Sequence, residues 1–195
     1  MASSINPKPK RTKERLCLGL TEQGKLYAIE NNVEEALRHY REALRLAKDC
    51  KNADVFFHHT TQCIMELLEV AGNYDLVIEY CTRSEAHYAD IETDFKNTLL
   101  SKQRAANVER LGIAQLLSGD TDAAKQSFAH AIDISPDKRP ISATVSDWLA
   151  RGYTIAPKQV KSLQSKHEYF IVKKSEVNMK WAIVLPKEIG RRPQI

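Results

Sequence analysis

The sequence predicts an all-α fold: a right-handed helical-hairpin solenoid with a capping helix and a small C-terminal α/β extension. Three observations carry this. From about Arg11 to Ala150 apolar residues recur at three- and four-residue spacing, with hardly any β-branched runs and few prolines before Pro136. The breaks in that pattern are short and made of turn residues: Asn31-Asn32, Lys51-Asn52, Gly72-Asn73, Gly119-Asp120 and Ser135-Pro136. Glycine, alanine and aromatic residues also return at the same offsets in two places. Short turns between amphipathic helices make neighbours antiparallel, so the helical hairpin is the expected unit.

Residues 1–13 form a basic leader, Lys8-Pro9-Lys10-Arg11-Thr12-Lys13 being its core. It is expected to be disordered; a nuclear import signal and contact with nucleic-acid phosphates are its two functional readings. The helical domain is placed at 14–152. In its first hairpin, near 17–50, Gly24 is followed by Tyr27, Ala36, Tyr40 and Ala43; in another, near 105–138, Gly112 is followed by Ala124, Phe128, Ala131 and Pro136. This recurrence resembles the tetratricopeptide-repeat (TPR) family. On that resemblance Gly24 and Ala36 mark the closest approach of two helices, while Tyr40 and Ala43 fill the contact with the next unit. Residues 58–91 resemble a degenerate third copy, turning at Gly72-Asn73-Tyr74 with Val77, Cys81 and Ser84 in the small and aromatic positions. Met65 stands where the small glycine belongs, so that hairpin is expected to be splayed or repacked. Asn31 to Gly72 is 41 residues and Gly72 to Gly119 is 47, against a family period of about 34. The surplus predicts lengthened helices, above all one from about Ile91 to Leu117.

A capping helix over 141–151 follows, stopped by Gly152, with Trp148 and Leu149 sealing the last apolar surface. The extension, 153–195, opens with a short helix from Pro157 to Lys166. Glu168–Val172 and Met179–Leu185 then alternate like two strands joined by residues 173–178, a predicted β-hairpin. Such a hairpin is marginal alone. It must dock on the helices, pair with a second copy in a homodimer through these strands, or order on a partner.

Charge divides the chain. The net +4 splits into +4 for residues 1–16, +7 for 151–195 and −7 for the body between them. No apolar run approaches the roughly 18 residues of a membrane span, and the N-terminus lacks the apolar core of a secretion signal. A cytoplasmic location is expected, or a nuclear one in a eukaryote. Cys17, Cys50, Cys63 and Cys81 show neither C-x-x-C nor zinc-like spacing and read as reduced, packed thiols. His58-His59 are adjacent on a helix and point about 100° apart, with no third ligand in phase, so no metal is expected. No phosphate-cradling loop, G-x-S-x-G or H-E-x-x-H is present. Cys81 and His87 are predicted to share one helix, six positions apart and on opposite faces. The reading is non-enzymatic, without a cofactor.

What the resemblance implies is protein binding, because the first helix of each stacked hairpin lines a concave groove. The residues so placed are Thr21, Lys25 and Ile29; His59, Gln62, Glu66 and Glu69; and Glu109, Arg110, Ile113 and Leu116. Their acidic centre and apolar end suit another protein's segment carrying Lys/Arg beside one or two apolar anchors, in an adaptor or scaffold role. The Lys/Asn/Arg clamp by which some relatives grip acidic chaperone tails is not repeated: Thr21, Lys25, Cys63 and Ala106 occupy its places, and only Arg110 matches. Two further expectations concern the basic ends. They are the alternative site, for nucleic acid, with Tyr153, Tyr169, Phe170 and Trp181 as stacking surfaces. The basic extension is also expected to fold over the acidic body and compete with a partner.

Overall fold

The computed structural model describes residues 12–90 and 98–187. Among them are eight α-helices, one 3-10 turn and no strand: α1 (Lys13–Ile29), α2 (Val33–Ala47), α3 (Ala53–Val70), α4 (Tyr74–Asp90), α5 (Thr98–Ser118), α6 (Thr121–Ile134), α7 (Pro140–Ala150), α8 (Pro157–Lys166) and the turn Lys174–Glu176. The all-helical expectation holds. The leader through Arg11 and the start of the long helix expected from Ile91 lie outside the described residues. The chain divides into two compact units, Met1–Leu67 with Ile171–Ile195, and Leu68–Phe170.

In the first unit α1 and α2 form an antiparallel hairpin. Thr12 caps α1, its side-chain oxygen accepting from the Arg15 N–H at 3.3 Å, and Asn32 caps α2 through the Glu35 N–H at 3.3 Å. Between them Asn31 takes the left-handed conformation (φ 58°) that asparagine tolerates, turning the chain in three residues. A Cβ on Gly24 would lie 2.5 Å from the Tyr40 ring. The small residue thus makes room for the aromatic sixteen positions on, where the sequence had suggested Ala36. Ala36, Tyr40, Cys63 and Leu67 form one apolar cluster; Cys17, Leu20, Ala43, Ala47 and Cys50 form another. Residues 19–25 of α1 are buried without a break, including Thr21, Glu22, Gln23 and Lys25. A helix packed on one side shows an exposed stripe. This one is covered on every side, and residues 171–187 complete the cover.

The second unit repeats the hairpin with α5 and α6, to which α4 and α7 add. Asp120 caps α6 by accepting from the Ala123 N–H at 3.0 Å. A Cβ on Gly112 would meet the Phe128 ring at 2.9 Å, the same sixteen-residue relation. Gly152 (φ 75°) holds the left-handed cap expected of it, and Gly72 (φ 78°), expected as a turn, is left-handed too. Trp148 and Leu149 pack into a core of Ile113, Ala124, Phe128, Ile141 and Val145, which α7 does not close by itself. The predicted helix from Pro157 forms as α8 and adds Val160 and Leu163 to that core.

The α/β extension is corrected. Residues 168–172 and 179–185 pair neither with each other nor into any sheet among the described residues. Their apolar residues serve irregular chain: residues 179–181 fall in a turn, Glu168 is left-handed (φ 49°), and Val172, Ile183 and Leu185 pack on helices. With no strands there, the homodimer expected through strand pairing loses its structural basis.

Candidate functional site

The first-unit candidates lie on α1 and α3. Thr21 and Thr60 hydroxyls meet at 3.1 Å, with the Thr21 hydroxyl also 3.0 Å from the Cys17 carbonyl. The Lys25 ammonium donates to Glu22 Oε1 at 2.8 Å, a pair buried from solvent. Glu66 is 5% exposed, which for a carboxylate demands donors. His59 and Gln62 are half-buried, and Ile29 is exposed at the end of α1. Burial lowers the His59 pKa, and the Lys25 charge lowers it further.

The donors for Glu66 come from the chain itself. The Ile171 and Val172 N–H groups donate to its carboxylate at 2.7 and 3.0 Å. The Asn178 N–H donates to Glu22 Oε2 at 2.6 Å, so Glu22 joins Lys25 to a main-chain amide. Ile183 donates its N–H to the Gly19 carbonyl at 2.9 Å, and Leu185 to His39 Nε2 at 3.0 Å. Arg38 reaches the Leu185 and Pro186 carbonyls at 3.2 and 3.0 Å while paired with Glu35. Val172 packs on the Tyr40 cluster, while Ile183 and Leu185 pack on the Cys17 cluster.

Two of these contacts dictate their own chemistry. His39 is fully buried, with Nδ1 2.8 Å from the Glu35 carbonyl. A carbonyl only accepts, so Nδ1 carries the proton and Nε2 is the acceptor Leu185 needs. Burial lowers the His39 pKa, consistent with that neutral ring. Gly19 is the other. A Cβ there would lie 2.3 Å from Ile183 Cδ1 and 2.6 Å from the Trp181 carbonyl oxygen. Only glycine allows the segment so close.

In the second unit the candidates serve its interior. Glu69 is 3.2 Å from the Arg110 guanidinium and accepts from Gln164 at 2.5 Å and from the Tyr169 hydroxyl at 3.0 Å. Arg110 stacks on the Tyr169 ring, 5.3 Å from its centroid. Burial pushes the Glu69 pKa up, against the opposing pull of Arg110, Tyr169 and Gln164. Glu109 accepts from the Ser142 N–H at 3.2 Å and its hydroxyl at 2.6 Å. Arg139 makes no side-chain cap, so Glu109 supplies the negative charge at the N-terminus of α7. Ile113 is wholly core and Leu116 packs beside it.

Sequence reasoning missed Gly19, Glu22, His39, Gln164, Ser142 and the bonding role of Tyr169. A glycine inside a helix was the one legible signal, because it weakens the helix unless something needs its space. Among the described residues no helix is long and apolar enough to cross a membrane, and no cluster of His, Cys, Asp and Glu is arranged for a metal. Burial raises the thiol pKa values, to about 11 at Cys17 and about 12 at Cys63 and Cys81, which favours the neutral thiol at these packed positions.

Residues 20–50 and 109–138 match the family described as tetratricopeptide repeat. These are the α1–α2 and α5–α6 hairpins; residues 58–91 are outside the matched segments. No curated protein and no solved structure matches the chain.

Proposed function

We propose that the chain, two of whose hairpins match the tetratricopeptide-repeat family, works by binding a segment of another protein and carries out no reaction of its own. Such repeats generally mediate protein–protein interaction. The observation that supports a specific place is the seating of a non-helical run of polypeptide, interrupted by two turns, across α1 and α3. Glu66 and Glu22 take up main-chain N–H groups there, and a polypeptide is the one ligand class that offers such donors in series. Thr21, Lys25, His59, Gln62 and Glu66 are the residues carried forward for contact with the partner. Glu69, Glu109, Arg110 and Ile113 are assigned to holding the second unit together, because α7, α8 and Tyr169 occupy their polar atoms or surround them.

A photo-crosslinking residue at Gln62, half-buried on α3, tests this against one at Arg41, exposed on α2. In nuclease-treated lysate of the source cells a single protein should cross-link at 62 and not at 41. Cross-linking at both positions alike, or material lost on nuclease treatment, would refute it. The second result would turn attention to nucleic acid at the basic segments.

A further inference from the structure

Residues 171–187 run along the first unit with little structure of their own. The internal main-chain bonds are confined to two turns, Glu176 N–H to the Lys173 carbonyl and Trp181 N–H to the Asn178 carbonyl. Lifting the segment therefore breaks no helix and no sheet ladder. Besides the Arg38 bonds to the Leu185 and Pro186 carbonyls, its attachment is of two kinds. Five main-chain amides, at 171, 172, 178, 183 and 185, are held by Glu66, Glu22, the Gly19 carbonyl and His39. Three apolar side chains, Val172, Ile183 and Leu185, enter the two clusters.

Apart from the half-buried Lys173, Val177 and Ala182, the rest of the segment is exposed. Met179, Trp181 and Val184 are 73, 48 and 60% exposed, and Lys174 and Lys180 are exposed as well. The acidic residues of the face are therefore matched to main-chain donors, where charge alone had suggested lysine and arginine. Nothing in the five bonds depends on the segment's side chains, so another segment with the same donors and anchors satisfies the same acceptors. Proline fits none of the five positions, since it brings no N–H.

We infer that residues 171–187 are an internal ligand, and that the partner docks by replacing them. The partner's segment is irregular, able to turn where residues 173–176 and 178–181 turn, free of proline at the five amide positions, and carries apolar residues at the spacing of Val172, Ile183 and Leu185. This deepens the protein-binding reading and rests on it. Regulation follows from the linkage: a partner must outcompete a tethered copy of its own chemistry, so apparent affinity falls by the fraction of molecules whose face is open.

The probe is a fluorescein-labelled peptide of residues 169–187, titrated by anisotropy into the full chain and into the full chain carrying Leu185→Asp. That substitution places a carboxylate in the Cys17 cluster and loosens the tethered segment while leaving the acceptors intact. The expected result is at least tenfold tighter binding to the variant. A peptide N-methylated at Val172 and Asn178 should lose at least tenfold, and one N-methylated at Lys180 should not. Equal affinity for both chains, or no binding to the variant, overturns the inference; a partner that still cross-links at Gln62 would then leave the protein-binding reading standing. Peptide exchange without any protein cross-linking at Gln62 would support the internal ligand and remove the broader reading.

Should the variant not fold, amide exchange on the unaltered chain decides. The Val172, Asn178, Ile183 and Leu185 amides should exchange at least tenfold faster than those of Tyr40 and Ala43 in α2. Exchange of all six in one cooperative step would make the segment a permanent part of the fold and overturn the proposal.

Discussion

Gly19→Ala should destabilise this protein, although the same change in a bare helix would stabilise it. Alanine at a helix interior is favoured over glycine by about 0.8–1 kcal/mol. Against that gain stands the added Cβ, 2.6 Å from the Trp181 carbonyl oxygen and 2.3 Å from Ile183 Cδ1. The Ile183 methyl can turn aside, but the carbonyl belongs to the backbone and moves only with residues 181–185. Their displacement forfeits the Ile183 N–H bond to Gly19, worth about 1 kcal/mol, and the burial of Leu185, worth about 2 kcal/mol. The net expectation is a loss of about 2 kcal/mol. Urea unfolding at neutral pH reads the change as a lowered midpoint. Amide exchange should show faster exchange at Ile183 and Leu185. If the variant is more stable than the parent and keeps both amides protected, the seating of the segment against α1 is refuted.

Other outcomes are fixed by the same contacts. The lowered His39 pKa means the folded state prefers the neutral ring, so its contribution is complete above the ordinary value of 6.5 and is lost as pH falls below it. Glu35 and Arg38 are the charged groups beside that ring, and the Tyr27 ring lies tilted against it, 5.0 Å between centroids. The Leu185 amide should therefore exchange faster at pH 5 than at pH 7 after correction for intrinsic rates; His39→Gln, which keeps an acceptor but does not titrate, should flatten the difference. Glu69→Ala leaves Arg110 buried without its counter-charge and should cost about 3–5 kcal/mol, with Glu69→Leu/Arg110→Met recovering most of it. A loss under about 1 kcal/mol in the denaturation curve would contradict the burial of that pair. The thiols of Cys17, Cys63 and Cys81 should resist alkylation in native protein at pH 7.5 and react fully in urea; prompt native labelling would show the clusters to be open.

The helices were legible because their signals are local. The recurrence of Gly24 and Tyr40 in one hairpin and Gly112 and Phe128 in another is a single-hairpin signal, although the sequence set Gly24 against Ala36 and not Tyr40; Asn32, Asp120, Gly72 and Gly152 act within a turn of where they stand. The fate of residues 168–187 was not local. Alternating apolar residues mark any extended segment with one face buried, and pattern alone does not say whether strand or helix provides the cover. Nor did the sequence separate a carboxylate facing solvent from one facing the chain's own amides. Glu66 and Glu69 looked alike as acidic groove residues. One binds the main chain of Ile171 and Val172; the other neutralises Arg110. Gly19 and His39 carried the information, but only against a segment more than a hundred residues away.

That separation has a consequence for how the protein is made. The first unit draws its Leu185 and Ile183 from chain synthesised after the whole second unit. On a ribosome adding about 5–20 residues per second, α1 and α2 emerge early and wait with the Cys17 cluster uncovered until residue 185 arrives. Contacts of such long sequence separation close slowly. A frameshift or premature stop in the codons after 170 would thus strike the N-terminal hairpin, and leave the repeat nearest the break with its own contacts whole.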